Sequence, residues 1–135
     1  MSLYHTMTYY MWHIPAEVQK KATYNLLHNV NFMSTSEILE CLRLGADLHK
    51  TLVCGKTEMN ITEIILGRCD TIHRNNYLST IARLRILDRY CIPRTIDRQL
   101  LMIMKSWVMN KKEWPIPYND VIFFRYFLDT CEPAT

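Results

Sequence analysis

Glu37-Ile38-Leu39-Glu40-Cys41-Leu42-Arg43-Leu44-Gly45-Ala46-Asp47-Leu48 is the stretch that decides the fold. Ile38, Cys41, Leu42 and Leu44 supply a buried stripe at helical spacing, while Glu37 and Glu40 read as a solvated face. Ser34 or Thr35 can accept a hydrogen bond from the free amides of the first turn, which Glu37 or Ile38 opens. Gly45 has no β-carbon and so takes the left-handed conformation that ends a helix. The same phrase, an apolar helix followed by a tight turn and a short extended segment, returns in degraded form. It recurs from Leu84 through Cys91-Ile92-Pro93 and from Phe124 through Cys131-Glu132-Pro133. Repeated helix-and-turn units stack, and a stack exposes a ridged surface suited to binding another protein.

Working outward, Pro15 suits a helix start, and residues 16–28 carry Val18, Ala22 and Leu26 on one face. Residues 46–54 lack a helical period and predict an extended or hairpin connection. Thr57 is placed to cap a helix over 58–66, and the polar segment 67–76 reads as a loop. A strong helix follows over 78–89, with Arg83, Arg85, Asp88 and Arg89 turned outward, and Ile92-Pro93 stops it. After a short extended link at 94–97, Asp97 caps a helix over 98–108. Its run Leu100-Leu101-Met102-Ile103-Met104 is apolar on nearly every side, which predicts a helix sandwiched at the centre of the core. The two prolines stiffen 111–117, and 120–129 is the final helix. The expectation is one all-α domain over 1–135, a short stack of about three helix hairpins with extended connecting loops. The helix pairs are 16–44, 58–89 and 98–129, preceded by an aromatic arm at 1–14.

A chain of 135 residues can bury a sizeable core without disulfides or metal. Three glycines disfavour a turn-rich sheet protein, and a net charge of +3 with only two basic doublets, Lys20-Lys21 and Lys111-Lys112, points away from nucleic acid. Five cysteines are an odd number with no Cys-x-x-Cys pair, which predicts reduced thiols in a cytoplasmic or nuclear protein. The N-terminus lacks a basic start and a continuous apolar run, so no signal peptide is expected. No window offers the roughly 20 apolar residues of a membrane span.

Three chemistries compete with protein binding. Val53-Cys54-Gly55-Lys56-Thr57 ends like a phosphate-binding loop, but Lys50 stands where its first glycine belongs. Cys69 and His73 have the spacing of two ligands on one helical face, yet tetrahedral zinc needs four converging ligands. Cys69, Asp70 and His73 also contain the residue types of a small Cys/His-dependent enzyme, which would require an activated thiolate. The expectation is no catalytic residue, no metal and no cofactor. Aromatic residues crowd the last third, and an apolar excess there predicts either a closed end or self-association through Trp114, Phe123, Phe124 and Phe127.

The residues from Glu37 to Thr57 resemble ankyrin repeats. Leu44-Gly45-Ala46-Asp47-Leu48 is similar to the family's turn, Gly55-Lys56-Thr57 to its helix opening, and Ile86-Leu87-Asp88-Arg89 with Pro93 to the end of a second helix. The chain departs from the family in having Glu58-Met59-Asn60 after the threonine, and Tyr90 and Cys131 where glycine is expected. Its turns recur at about 45 and 41 residues instead of roughly 33. Such divergence resembles degenerate repeats in viral or pathogen proteins. The resemblance implies a non-catalytic module that binds a partner protein through finger loops and a concave face. The fingers would be His49 to Cys54 and Arg94 to Asp97, with His49, Lys50, Thr51, Leu52, Arg94 and Thr95 meeting the partner, and the neighbouring surface would be Lys56, Glu58, Asn60 and Lys105. Lys50, Lys56 and Arg94 would favour an acidic partner segment. The alternative is a structural subunit forming a homo-oligomer through its aromatic C-terminal end.

Overall fold

The computed structural model describes residues 14–67, 74–110 and 117–134. Among them are six α-helices: α1 Ala16–Asn29, α2 Thr35–Arg43, α3 Ile61–Gly67, α4 Arg74–Asp88, α5 Arg98–Asn110 and α6 Tyr118–Thr130. A 3₁₀ turn at Val30–Phe32 separates the first two helices. Four short strands complete the order: β1 Leu52–Cys54, β2 Thr57–Met59, β3 Thr95–Ile96 and β4 Glu132–Pro133. The chain is largely helical, as expected, with two small sheets. No helix among the described residues is long and apolar enough to cross a membrane.

Local signals set α2 at both ends. Ser34 Oγ accepts from the Glu37 N–H at 3.3 Å, and Glu37 Oε1 accepts from the Ser34 N–H at 3.1 Å, a reciprocal capping box. The bonds from Ser34 hold the exposed Glu37 carboxyl below its ordinary pKa. At the other end Gly45 takes φ +85°, its N–H donates to Leu42 O, and the Ala46 N–H donates to Cys41 O, both at 3.0 Å. That is a Schellman cap. A β-carbon on Gly45 would stand 2.9 Å from Gln19 Cγ, so the turn is seated directly on α1. Thr23 strengthens the seat by accepting from the Asp47 N–H at 2.8 Å.

Three boundaries differ from the sequence expectation. Thr57 does not cap a helix: it pairs with Cys54 across a two-residue turn, and β1 and β2 form an antiparallel hairpin in register Leu52↔Met59. Gly55, at φ +64°, supplies the positive dihedral this turn needs. The cap of α3 is Asn60, whose Oδ1 accepts from the Glu63 N–H at 3.0 Å, while Glu63 Oε1 accepts from the Asn60 N–H at 2.9 Å. Helix α4 begins at Arg74, so residues 74–76 belong to it and not to the preceding loop. It ends at Asp88, before Pro93, and the left-handed residue of the following turn is Cys91 at φ +57°, not Tyr90. Cys131 is extended at φ −81° and ψ 145°, so no left-handed turn follows α6.

Helix α1 packs on α2, α3 on α4, and α5 on α6, while α3 also meets α5 and α4 meets α6. The fully buried residues Ile61, Ile65 and Leu66 of α3, Ile81, Leu84 and Leu87 of α4, and Phe124, Phe127 and Leu128 of α6 form the centre. Each such side chain contributes about 1.5–3 kcal/mol relative to exposure. Helix α5 is not sandwiched there: Leu101 and Met104 are buried, but Met102 and Ile103 are 65% and 50% exposed. Tyr77, Trp107 and Phe124 join α4, α5 and α6 through ring centroids 4.6 Å and 5.4 Å from Tyr77.

Candidate functional site

The hairpin is the most exposed regular element before α3. His49, Lys50 and Thr51 lead into it and are exposed. The pleat then turns Leu52 toward the core and Val53 away from it, leaving Val53 64% exposed. Cys54, Lys56, Thr57 and Glu58 are exposed as well. Thr57 Oγ1 donates to Cys54 O at 2.9 Å and closes the tip, and Asp47 Oδ1 accepts from the His49 N–H at 2.9 Å and fixes the approach.

Side-chain bonds join the hairpin to the next connection. Asn60 Nδ2 donates to Thr95 O at 2.8 Å, and Thr62 Oγ1 donates to Pro93 O at 2.6 Å. Glu63 serves two elements: one carboxylate oxygen completes the α3 cap and the other accepts from the Asp97 N–H at 2.9 Å. Asp97 in turn caps α5 by accepting from the Leu100 N–H at 3.0 Å. The row continues, since β3 pairs in parallel with β4, with Glu132 N–H donating to Arg94 O and Ala134 N–H to Ile96 O, both at 2.8 Å. The hairpin, 93–97 and 132–134 are thus linked in succession along one edge. The signal for this junction was present in the sequence as Asn60-x-x-Glu63, a capping-box spacing that competes with Thr57 for the helix start.

Of the expected binding residues, Lys56 and Glu58 are exposed on the hairpin and His49, Lys50 and Thr51 on its approach, Leu52 instead packs against the core, and Asn60 meets Thr95 directly. Arg94 does not present a free charge. Its guanidinium pairs with Asp88, donates to Thr130 Oγ1 at 3.0 Å, and lies 4.4 Å from the centre of the Phe127 ring. Lys105 lines a groove with Val108, Met109, Arg125, Leu128 and Asp129, all on α5 or α6, so it does not extend the hairpin surface. Arg85, which faces outward as expected, makes a second such clamp: it pairs with Asp120 at 2.8 Å and lies 4.6 Å from the Phe123 ring centre.

Phe124 and Phe127 are wholly buried, and Phe123 is half-buried beneath Arg85, so these rings close the core and do not form an exposed face. Trp114 lies outside the described residues, as do Cys69 and His73. Among the described residues, no three His, Cys, Asp or Glu side chains gather to hold a metal ion. Burial pushes the Cys41 thiol up, aided by Glu40 and Glu37, and pushes Cys131 up to about 11. Both thiols are protonated near neutral pH and behave as small core hydrophobes. No protein-family model, no curated protein and no solved structure matches this chain.

Proposed function

We propose that this chain is a non-catalytic protein-binding module of ankyrin-like type, in which the β1–β2 hairpin and the 93–97 connection act as successive fingers. The observation that carries this reading is the pairing of exposure with anchorage at the hairpin. Val53 stands 64% exposed opposite Glu58 in the hairpin register, with Lys50 ahead of β1 and Lys56 at the turn, while Asn60 and Glu63, which follow β2, bond to Thr95 and Asp97. A ligand meets a prepositioned apolar anchor, so little ordering entropy is lost on binding. Over 49–58, Lys50 and Lys56 exceed Glu58 by one charge, which favours an acidic partner segment with an apolar residue to cover Val53. Arg94 serves the fold instead of the ligand, and the tested set is therefore Lys50, Val53 and Lys56.

The experiment is peptide display on the immobilised chain, followed by measured affinities of the selected peptides. Acidic peptides with one large apolar residue are expected, losing at least about tenfold in affinity to the variant K50E/V53D/K56E. Selected peptides that bind this variant undiminished would contradict the reading.

A further inference from the structure

The large exposed apolar side chains are unevenly placed. Of the eleven among the described residues, six lie on the last two helices: Met102, Ile103, Met109, Tyr118, Ile122 and Tyr126. Helix α5 carries Met102, Lys105 and Met109 at spacings of three and four, and α6 carries Ile122, Arg125 and Asp129 at the same spacings. Side chains so spaced share one helical face. The two faces lie side by side, because Lys105 and Met109 of α5 line one groove with Arg125 and Asp129 of α6. The groove has a volume of about 200 Å³, with Val108 and Leu128 in its floor. Both floor residues are buried, whereas Met109 at the groove is 62% exposed, and Met102 and Ile122, on the same helix faces, are 65% and 47% exposed. An apolar surface of this kind, flanked by charges, marks an interaction site.

The charges decide what covers it. Arg125 and Asp129 are exposed, and neither takes part in an ion pair among the described residues. They stand one helical turn apart beside the apolar stripe, positive and negative on the same patch. An acidic partner helix would meet Asp129 with like charge, and a basic one would meet Lys105 and Arg125. A two-fold interface satisfies both signs at once, since a patch that contacts itself must carry both members of each pair. We propose that this face is the interface of a symmetric dimer of this chain, in which Arg125 pairs with Asp129 of the partner subunit and the apolar stripes cover each other.

The test is solution mass by sedimentation and light scattering on the full chain across a wide concentration range. The wild-type mass is expected to rise from monomer to dimer. R125D and D129R, each alone, put like charges opposite one another twice and are expected to weaken the dimer by about tenfold or more. Mixed in equal amounts, the two variants restore both attractive pairs, and a heterodimer is expected at the wild-type affinity. Recovery on mixing also shows that each variant is folded. I122E, which inserts a charge into the stripe, is expected to remain monomeric in every mixture. A wild-type chain that stays monomeric throughout would overturn the proposal, as would a dimer indifferent to all three substitutions. Two monomeric charge variants that fail to recover on mixing would overturn the pairing.

Discussion

Arg94 stacks on Phe127, its guanidinium carbon 4.4 Å from the ring centre, although the two residues lie on different elements far apart in sequence. The same guanidinium reaches Asp88 at the end of α4 and Thr130 at the end of α6, and the Arg94 carbonyl accepts from the Glu132 N–H at 2.8 Å. Arg94 therefore ties the close of α4, the start of the 93–97 connection and the close of α6. Its side chain is only 28% exposed, so the ion pair is partly shielded from water. Replacing Arg94 with Ala is expected to cost about 2 kcal/mol, summing the lost ring contact and charge-assisted bonds. Lys is expected to recover only part of this, because it lacks the planar fork that serves Asp88 and Thr130 together. Urea unfolding of R94A and R94K measures both.

Asn60 separates the capping role from the finger junction. Asp is as good a cap as Asn and retains the acceptor for the Glu63 N–H, but it cannot donate to Thr95 O. N60D is therefore expected to keep α3 while costing about 1 kcal/mol or more, and to speed amide exchange at Asp97 and Ile96. Exchange rates unchanged from wild type would show that the junction does not hold the finger.

The two left-handed residues predict opposite responses. Gly45→Ala places a β-carbon at φ +85° and against Gln19 Cγ, so a loss of about 1–2 kcal/mol is expected from the backbone alone. Cys91→Gly removes the corresponding penalty at φ +57° and is expected to stabilise by up to about 1 kcal/mol, offset in part by the added freedom of the unfolded chain. Tyr90→Gly, one residue earlier, gains nothing. Thermal unfolding of the three variants decides the order.

Cys131 sets an alkaline limb. Burial raises its thiol to about 11 from an ordinary 9.0, against the opposing pull of Arg94 and Lys105. The folded chain thus retains a proton that the unfolded chain releases, and stability is expected to fall as pH rises from 9 toward 11. Below 9 both states are protonated and the thiol contributes no pH dependence. C131A is expected to shrink this limb, leaving the contribution of the Cys41 thiol, which burial also raises, measured as the pH profile of the urea midpoint against wild type.

How far the sequence carried depends on the range of each interaction. Ser34, Glu37 and Gly45 were legible because each satisfies a helix end within a few residues of itself. The finger hairpin was half legible: the absence of helical period over 46–54 pointed to an extended connection, but Thr57 and Asn60 are both chemically able to cap a helix. Only strand pairing across Gly55-Lys56 selects between them. In Leu100-Leu101-Met102-Ile103-Met104 every position is apolar, so no periodicity marks which side faces the core, and Met102 proved exposed. Arg85 reaches Asp120 and Arg94 reaches Thr130 and Phe127, all on α6 and more than thirty residues on, and no local pattern announces such a clamp. The proposed binding edge shared this division: His49 to Glu58 are contiguous in sequence and stay neighbours along the hairpin, whereas Arg94 and Lys105 are drawn away by contacts distant in sequence.

The anchored hairpin is proposed as the surface that takes a partner. The affinity of display-selected acidic peptides is measured for the wild-type chain, for K50E/V53D/K56E, and for I122E on α6 as a control. A loss of at least about tenfold is expected for the hairpin variant and no change for I122E. Equal affinity for wild type and the hairpin variant would contradict it.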